Sequence, residues 1–307
     1  MNVPTTTGFS TSLENIGEVE NRGWEFVLNT VNVQGKFNWS TDFNFSIYRN
    51  KVLKLGPEGD PIVSGNNITQ IGKPVGMFYG LIWDGVFLNQ QEIDAGPIYN
   101  RGLRDESRPG DVRYKDVSGP NGEPDGIITT DDYTIMGNPY PDFYYGMTNR
   151  FSYKNISLDV GIVGSHGAEI LNNANEIRLL TRSRSRTLAS QANWWKSESD
   201  PGDGKTLRPN DSPNGGARLI SQRHLDSGSF FRINNISLSY TIPRVISKKL
   251  SLNTLRIYAT ATNPFIITNN TSFNPEVSNS RNSLTPGTDS NNYPVAKSLI
   301  LGINVVF

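Results

Sequence analysis

The stretch SLILGINVVF, residues 298–307, alternates along its whole length. Leu299, Leu301, Ile303, Val305 and Phe307 fall on one side, and Ser298, Ile300, Gly302, Asn304 and Val306 on the other. A period of two describes an extended strand with one fully apolar face and one smaller, more polar face. About ten residues is also the length of a tilted strand that crosses a bilayer. The fold follows from whether the chain repeats this pattern, and from what the apolar face meets.

It does repeat. Residues 23–31 set Trp24, Phe26 and Leu28 against Glu25, Val27 and Asn29. Residues 36–48 put Phe37, Trp39, Thr41, Phe43, Phe45 and Ile47 on one face, with Asn38, Ser40, Asp42, Asn44, Ser46 and Tyr48 on the other. Further strands are expected at 143–153, 156–164, 228–242 and 254–263. In 228–242 the phase slips at Asn234-Asn235, which a β-bulge would explain. The turn at 32–35 is expected to need a positive φ at Gly35, and Lys154-Asn155 is expected to form a second tight turn. The segments 50–142, 165–227 and 264–296 are long, largely aperiodic and rich in turn residues. Within the second, 168–195 lacks Gly and Pro and is expected to hold a helix.

About seven strands result, and their connections run short, very long, short, very long, medium, long. A soluble sandwich has no reason to collect every long loop at one end. A membrane barrel does, with short turns on one side of the bilayer and long loops on the other. Seven is odd, while bacterial single-chain barrels have even strand counts, and seven strands would also leave two open edges, which lipid does not tolerate. The expected fold is therefore all-β: the C-terminal part, about seven antiparallel strands, of a large transmembrane β-barrel with long extracellular loops. Residues 1–307 would form a partial barrel whose earlier strands lie outside this sequence. The competing reading is a soluble β-rich carbohydrate-binding module.

Composition agrees with a folded chain. The 307 residues are 36% hydrophobic and 10% aromatic, too apolar for disorder. Mean hydropathy is −0.44, and no apolar run approaches the roughly 20 residues of a membrane helix. Alternating strands hide an apolar belt in such an average. Lys and Arg total 29 and Asp and Glu total 29, so net charge offers nothing to nucleic acid. With no cysteine, disulfides and thiolate chemistry are excluded. The start, MNVPT, has neither the basic nor the apolar region of a secretory signal, so an exported protein would be expected to have a longer precursor.

Several stretches resemble the SusC/RagA-type TonB-linked outer-membrane transporters: NIGEVENRGWE (15–25), GMFYG (76–80) with WDGVF (83–87), GDVRYKD (110–116), DGII (125–128) and GNPYP (137–141). GSFFR (228–232) leading to LSYTIP (238–243), NPF (263–265), NPE (274–276) and the terminal Phe307 continue the resemblance in order. The resemblance implies a barrel of about 22 strands around a plug. This chain would supply only the C-terminal third, and the plug and the TonB-contacting segment are absent from it. The implied partners are a SusD-like surface lipoprotein, TonB through the absent N-terminal region, and outer-membrane lipid. Phe307 resembles the terminal aromatic that recruits barrel assembly. The implied activity is TonB-dependent import of oligosaccharides or other oligomeric nutrients such as peptides, and the chain is expected not to be an enzyme.

Within the loops, Tyr79, Trp83, Tyr140, Trp194 and Trp195 are candidates to stack on sugar rings or meet a partner. The alternative is that they pack the loops onto one another, which the Trp194-Trp195 pair favours. Residues 121–132 can be laid on a calcium-loop pattern, with Asn121, Glu123, Asp125 and Asp132 as oxygen ligands and Gly126 at the turn. Asn opens the pattern, Pro124 interrupts it and Asp closes it in place of Glu, so a surface turn is the alternative. No other cofactor is expected. Arg182, Arg184 and Arg186 read as a solvated basic face or a lipopolysaccharide contact. Asn38, Asp42, Asn44, Asp159 and Arg256 would line the barrel interior or hold the plug. Enzyme motifs fail: GSHG (164–167) lacks the spacing of a nucleophile elbow, and GKT (204–206) lacks the upstream glycine of a phosphate loop, where Ser199 stands.

Overall fold

The structure, a computed structural model, describes residues 17–99, 107–175, 189–209, 219–276, 282–289 and 292–307. Its frame is one antiparallel sheet of seven strands: β1 (Gly17–Val33), β2 (Phe37–Leu55), β3 (Phe143–Tyr153), β4 (Ile156–His166), β5 (Phe230–Thr241), β6 (Thr254–Thr268) and β7 (Ser298–Val306). They are adjacent in chain order, and β1 and β7 form the two edges. The expected strands are all present. β1, β2 and β6 run further toward the long-loop end than alternation indicates.

Register decides which side chains share a face. Leu28, Phe43, Met147, Ile162, Ile233 and Phe265 form one continuous row from β1 to β6. Trp39, Phe151, Leu158, Leu238, Ala259 and Leu301 form another from β2 to β7. Every apolar face read from the sequence thus lies on the same side. The reverse side carries Ser40, Arg150, Asp159, Ser237 and Thr260 in register. The apolar side is bare among the described residues: Trp24 is 81% exposed and Leu301 76%. A sandwich would cover it, so that reading fails.

The phase slip in β5 is a bulge. Ile233 pairs with Ile162 and Asn235 with Gly161, leaving Asn234 as the extra residue. The bulge keeps Ile233 and Ile236 on one face although they are three positions apart. Asn263, with φ 49°, and Pro264 fall at the matching irregularity in β6, the kind of place where a strand tolerates proline.

The turns divide. Lys154 adopts φ 52° in the β3–β4 turn, as a two-residue hairpin requires. Gly35 does not take the positive φ expected of it. Its N–H is held by Asn38 Oδ1 at 3.0 Å, so a side chain closes this turn. The β5–β6 connection contains a short helix, α1 (Arg244–Lys249).

The long segments are not aperiodic coil. Ile62–Ser64, Asn67–Thr69, Met77–Gly80 and Thr134–Gly137 form a four-stranded sheet. Glu169–Asn172 pairs with Leu225–Ser227 and, in parallel, with Thr288–Asp289, which joins the second and third segments. A bridge from Leu81 to Ser221 joins the first and second. The three segments therefore interlock as a cap at one end of the sheet. The described parts of 168–195 hold Glu169–Asn172 and a 3₁₀ turn at Ala189–Gln191 where a helix was expected; the middle, 176–188, lies outside the described residues. The apolar core sits in the cap, with Leu81, Val86, Val112, Tyr114, Ile128 and Leu207 in one cluster and Phe78, Met136 and Leu171 in another.

Glycines let large side chains lie flat across the sheet. The Tyr258 ring occupies the place of a Cβ at Gly302, and Tyr145 does the same at Gly164. Replacing Gly302 with Val should cost about 1–3 kcal/mol through overpacking. Adding Tyr258→Ala should recover part of it, read as a double-mutant cycle on urea midpoints of the complete protein. Strict additivity of the two changes would refute the contact.

Candidate functional site

Two surfaces can carry function: the polar side of the sheet and the cap above it. On the polar side, Arg150 pairs with Asp42 across β2 and β3, and Tyr48 donates to Glu25. Ser237 and Thr260 share a bond of 2.9 Å, and Arg256 donates to Ser239 at 2.8 Å. Asn44 lies against Gly146. Asp42, Asn44 and Arg256 thus form cross-strand polar contacts on one face, with Asp159 in register beside Arg150. Asn38, on the same face, donates weakly to Ser152 at 3.4 Å.

The cap is built by the stretches that carry the resemblance. Gly110 has φ +86°, and a Cβ there would strike Trp195 and Arg208. Asp111 binds Arg208 at 2.8 Å, Val112 and Tyr114 are buried, and Arg113 bridges Asp84 at 3.0 Å and Glu92 at 2.9 Å. Gly85, with φ +91°, turns the chain before buried Val86 and Phe87. Glu169 accepts the Asn138 N–H at 2.7 Å. Arg232 pairs with Glu276, which ties the third long segment to β5.

The five candidate aromatics have different fates. Trp83 packs on the larger cap cluster and donates to Gly85 O at 2.9 Å. Trp195 packs beside it and donates to Leu88 O at 3.0 Å. Tyr79 meets Tyr133 edge-on at 5.6 Å. Trp194 is half-buried next to its neighbour. Trp83, Trp195 and Tyr79 thus pack loop on loop in this arrangement. Tyr140 donates to Val75 O at 2.9 Å and lines a cavity of about 460 Å³ where cap and sheet meet. Tyr144, Tyr145, Phe230, Glu169 and Glu276 also line it. Sequence reading missed Tyr144 and Phe230 because both fall inside strands. Arg182, Arg184 and Arg186 lie outside the described residues.

The calcium pattern is not assembled as a cage. Asp132 is fully buried, and its Oδ1 accepts N–H groups of Val117 (2.8 Å) and Ser118 (3.2 Å) while Oδ2 accepts Thr129 N–H (2.8 Å). Asn121 and Glu123 are exposed, and Asp125 accepts the N–H of Ile127 at 2.9 Å. Among the described residues no three His, Cys, Asp or Glu side chains are grouped to hold a metal. The residues present do not fit the ion; Asp132 instead closes a turn.

Burial controls the titrating groups of the cap. The Tyr114 phenol is pushed up to about 12 by burial, and Tyr99 well above its usual value. Both stay protonated as donors, Tyr114 to Leu219 O at 3.3 Å and Tyr99 to Val112 O. His224, 1% exposed, is lowered to about 4 by burial and by the charge of Arg223.

No family model matches the chain. TonB-dependent receptor P26 of Formosa agariphila is 32% identical over 99% of this chain and 31% of its own length. TonB-dependent receptor P3 of the same organism is 32% identical over 99% of this chain and 30% of its own length. TonB-dependent receptor SusC of Bacteroides thetaiotaomicron is 25% identical over 99% of this chain and 28% of its own length. Two solved structures titled as the RagAB peptide transporter and the RagAB peptide importer in the 'open-open' state superpose with TM-scores of 0.76 and 0.77, at 20% identity. They cover 99% and 100% of this chain, and the chain covers 31% of each. The chain thus spans about a third of the relatives it matches. The seven-stranded sheet and its cap share the fold of the matched third of those two structures, and the chain is similar in sequence to TonB-dependent receptors over 99% of its length.

The neutral state of His224 has a pH consequence. Its folded pKa lies below the free value of 6.5. The stability it contributes is therefore complete above about pH 6.5 and falls as pH drops toward 4, by about 3 kcal/mol at the limit. Proteolysis of the cap in the complete protein should quicken between pH 7 and 4.5. His224→Gln should flatten that component. Identical pH profiles for the two proteins would refute it.

Proposed function

We propose that this chain, homologous to SusC/RagA-type TonB-dependent receptors over 99% of its length, forms the wall and external cap of an outer-membrane importer of oligomeric nutrients. One observation supports this above the rest: seven strands place every apolar face on one bare side, while all long segments gather at one end. From Phe37 to Ile47 the apolar face of β2 spans about 33 Å at roughly 3.3 Å per residue, or about 25 Å at a tilt near 40°, the height of a barrel's lipid belt. No described helix is long and apolar enough to cross a membrane, so strands would do the crossing.

On this reading the short turns face the periplasm and the cap faces outward. The cap meets a SusD-like lipoprotein and encloses the incoming oligomer. Two of the matched structures are titled for peptide transport and one relative is named SusC; oligosaccharide and peptide are the substrate classes proposed here. The 460 Å³ cavity, with Tyr140, Tyr144 and Phe230, offers ring faces to either. TonB would act on a plug that this chain does not contain. Phe307, 85% exposed, would serve in assembly.

The test uses the complete protein in its native membrane. Disrupting it should abolish growth on one oligomeric nutrient and spare growth on the monomer. Tyr144→Ala should reduce uptake several-fold without altering the heat-modifiable barrel band. Leu301→Arg, on the apolar face, should cost about 2–4 kcal/mol of barrel stability, against little change for Ser237→Asn on the opposite side. Recovery of the whole protein in buffer without detergent would refute the assignment.

A further inference from the structure

Charge is segregated along the wall in a way its net value hides. The three connections at the short-turn end, residues 34–36, 154–155 and 242–253, contain Lys36, Lys154, Arg244, Lys248 and Lys249. They contain no Asp or Glu, although the chain has 29 of these. All five cations are exposed, and none forms an ion pair among the described residues. Lys154 lies over the Tyr153 ring at 5.3 Å.

Three of the five sit on or beside exposed aliphatics. Helix α1 buries Ser247 and exposes Val245 (74%), Ile246 (51%) and Leu250 (57%) between its cations. Neither water nor a polar protein surface satisfies that mixture, whereas the headgroup–acyl boundary of a bilayer does. The helix follows β5 directly, and Tyr240 of that strand lines an apolar groove of about 710 Å³. The groove exists because Ala259 is small between Leu238 and Leu301 in the same row. Ile257 and Ile303 extend it.

We propose that this corner of the wall binds an anionic phospholipid of the adjoining leaflet. An acyl chain occupies the groove over Ala259. Arg244, Lys248, Lys249 and Lys154 hold the phosphate, and Val245, Ile246 and Leu250 enter the tail region. The proposal rests on the wall lying in a membrane. Its specific content is a preference for negative headgroups, set by cations that no carboxylate neutralises.

The complete transporter, purified and delipidated in detergent, tests it. Phosphatidylglycerol should be retained about tenfold more than phosphatidylcholine, since each cation near a lipid surface contributes to binding. The quadruple variant Lys154→Gln, Arg244→Gln, Lys248→Gln, Lys249→Gln should lose that preference. Ala259→Leu should lower phosphatidylglycerol retention with every charge in place. Equal retention of the two lipids, or an unchanged quadruple variant, overturns the proposal. So does full displacement by inorganic phosphate, or an acidic soluble protein captured on the same cations. The heat-modifiable band separates the levels: its presence without lipid preference refutes this site alone, and its absence refutes the wall.

Discussion

In a bilayer the backbone of a wall strand can bond only to its neighbours. That requirement forces pairing, and pairing fixes register. Register in turn decides whether Trp39, Phe43 and Met147 meet the same medium as Leu238 and Leu301. A slip of one residue in any strand would turn its whole apolar set to the polar side. The bulge at Asn234 is the local device that keeps β5 in step with β4, and the flat rings over Gly164 and Gly302 keep neighbouring strands close. The polar side then collects the charged and hydrogen-bonding side chains, including the Arg150–Asp42 pair.

The cap answers to a different physics. It gathers at one end of the sheet and buries its own core, with Tyr114, Phe78 and Leu171 almost wholly enclosed. Its polar groups are tied internally: Asp132 holds three backbone amides, and Arg113 bridges two carboxylates. Such ties fix the shape of the loops.

The wall was legible because alternation over ten or more residues leaves a strong local signal. All seven strands, the slip at Asn234 and the common apolar face followed from it. Most of the cap was not legible, because its strands run two to four residues, as in Asn67–Thr69 and Thr288–Asp289. No period can be read over that span, and its pairings join residues more than a hundred positions apart, as with Leu171 and Thr288. The absence of Gly and Pro in 168–195 suggested a helix, yet Glu169–Asn172 is drawn into a sheet by partners far along the chain. The acidic pattern ending at Asp132 looked like a metal loop because turn closure and ion binding use the same oxygen-bearing side chains. Gly35 misled for the opposite reason: its neighbour Asn38 closes the turn without a left-handed residue.

The placement of the core has a consequence for how such a chain can change over time. Lipid tails adapt to any apolar outline, so an outward wall position asks only for hydrophobicity. Leu, Ile, Val and Phe are close to interchangeable there. A buried cap position asks for shape as well. On the proposed membrane reading, outward positions of the strands tolerate exchange among apolar residues more readily than the buried positions of the cap do. Most of the quoted stretches that carry the resemblance, GMFYG, WDGVF, GDVRYKD and GNPYP among them, fall in the cap.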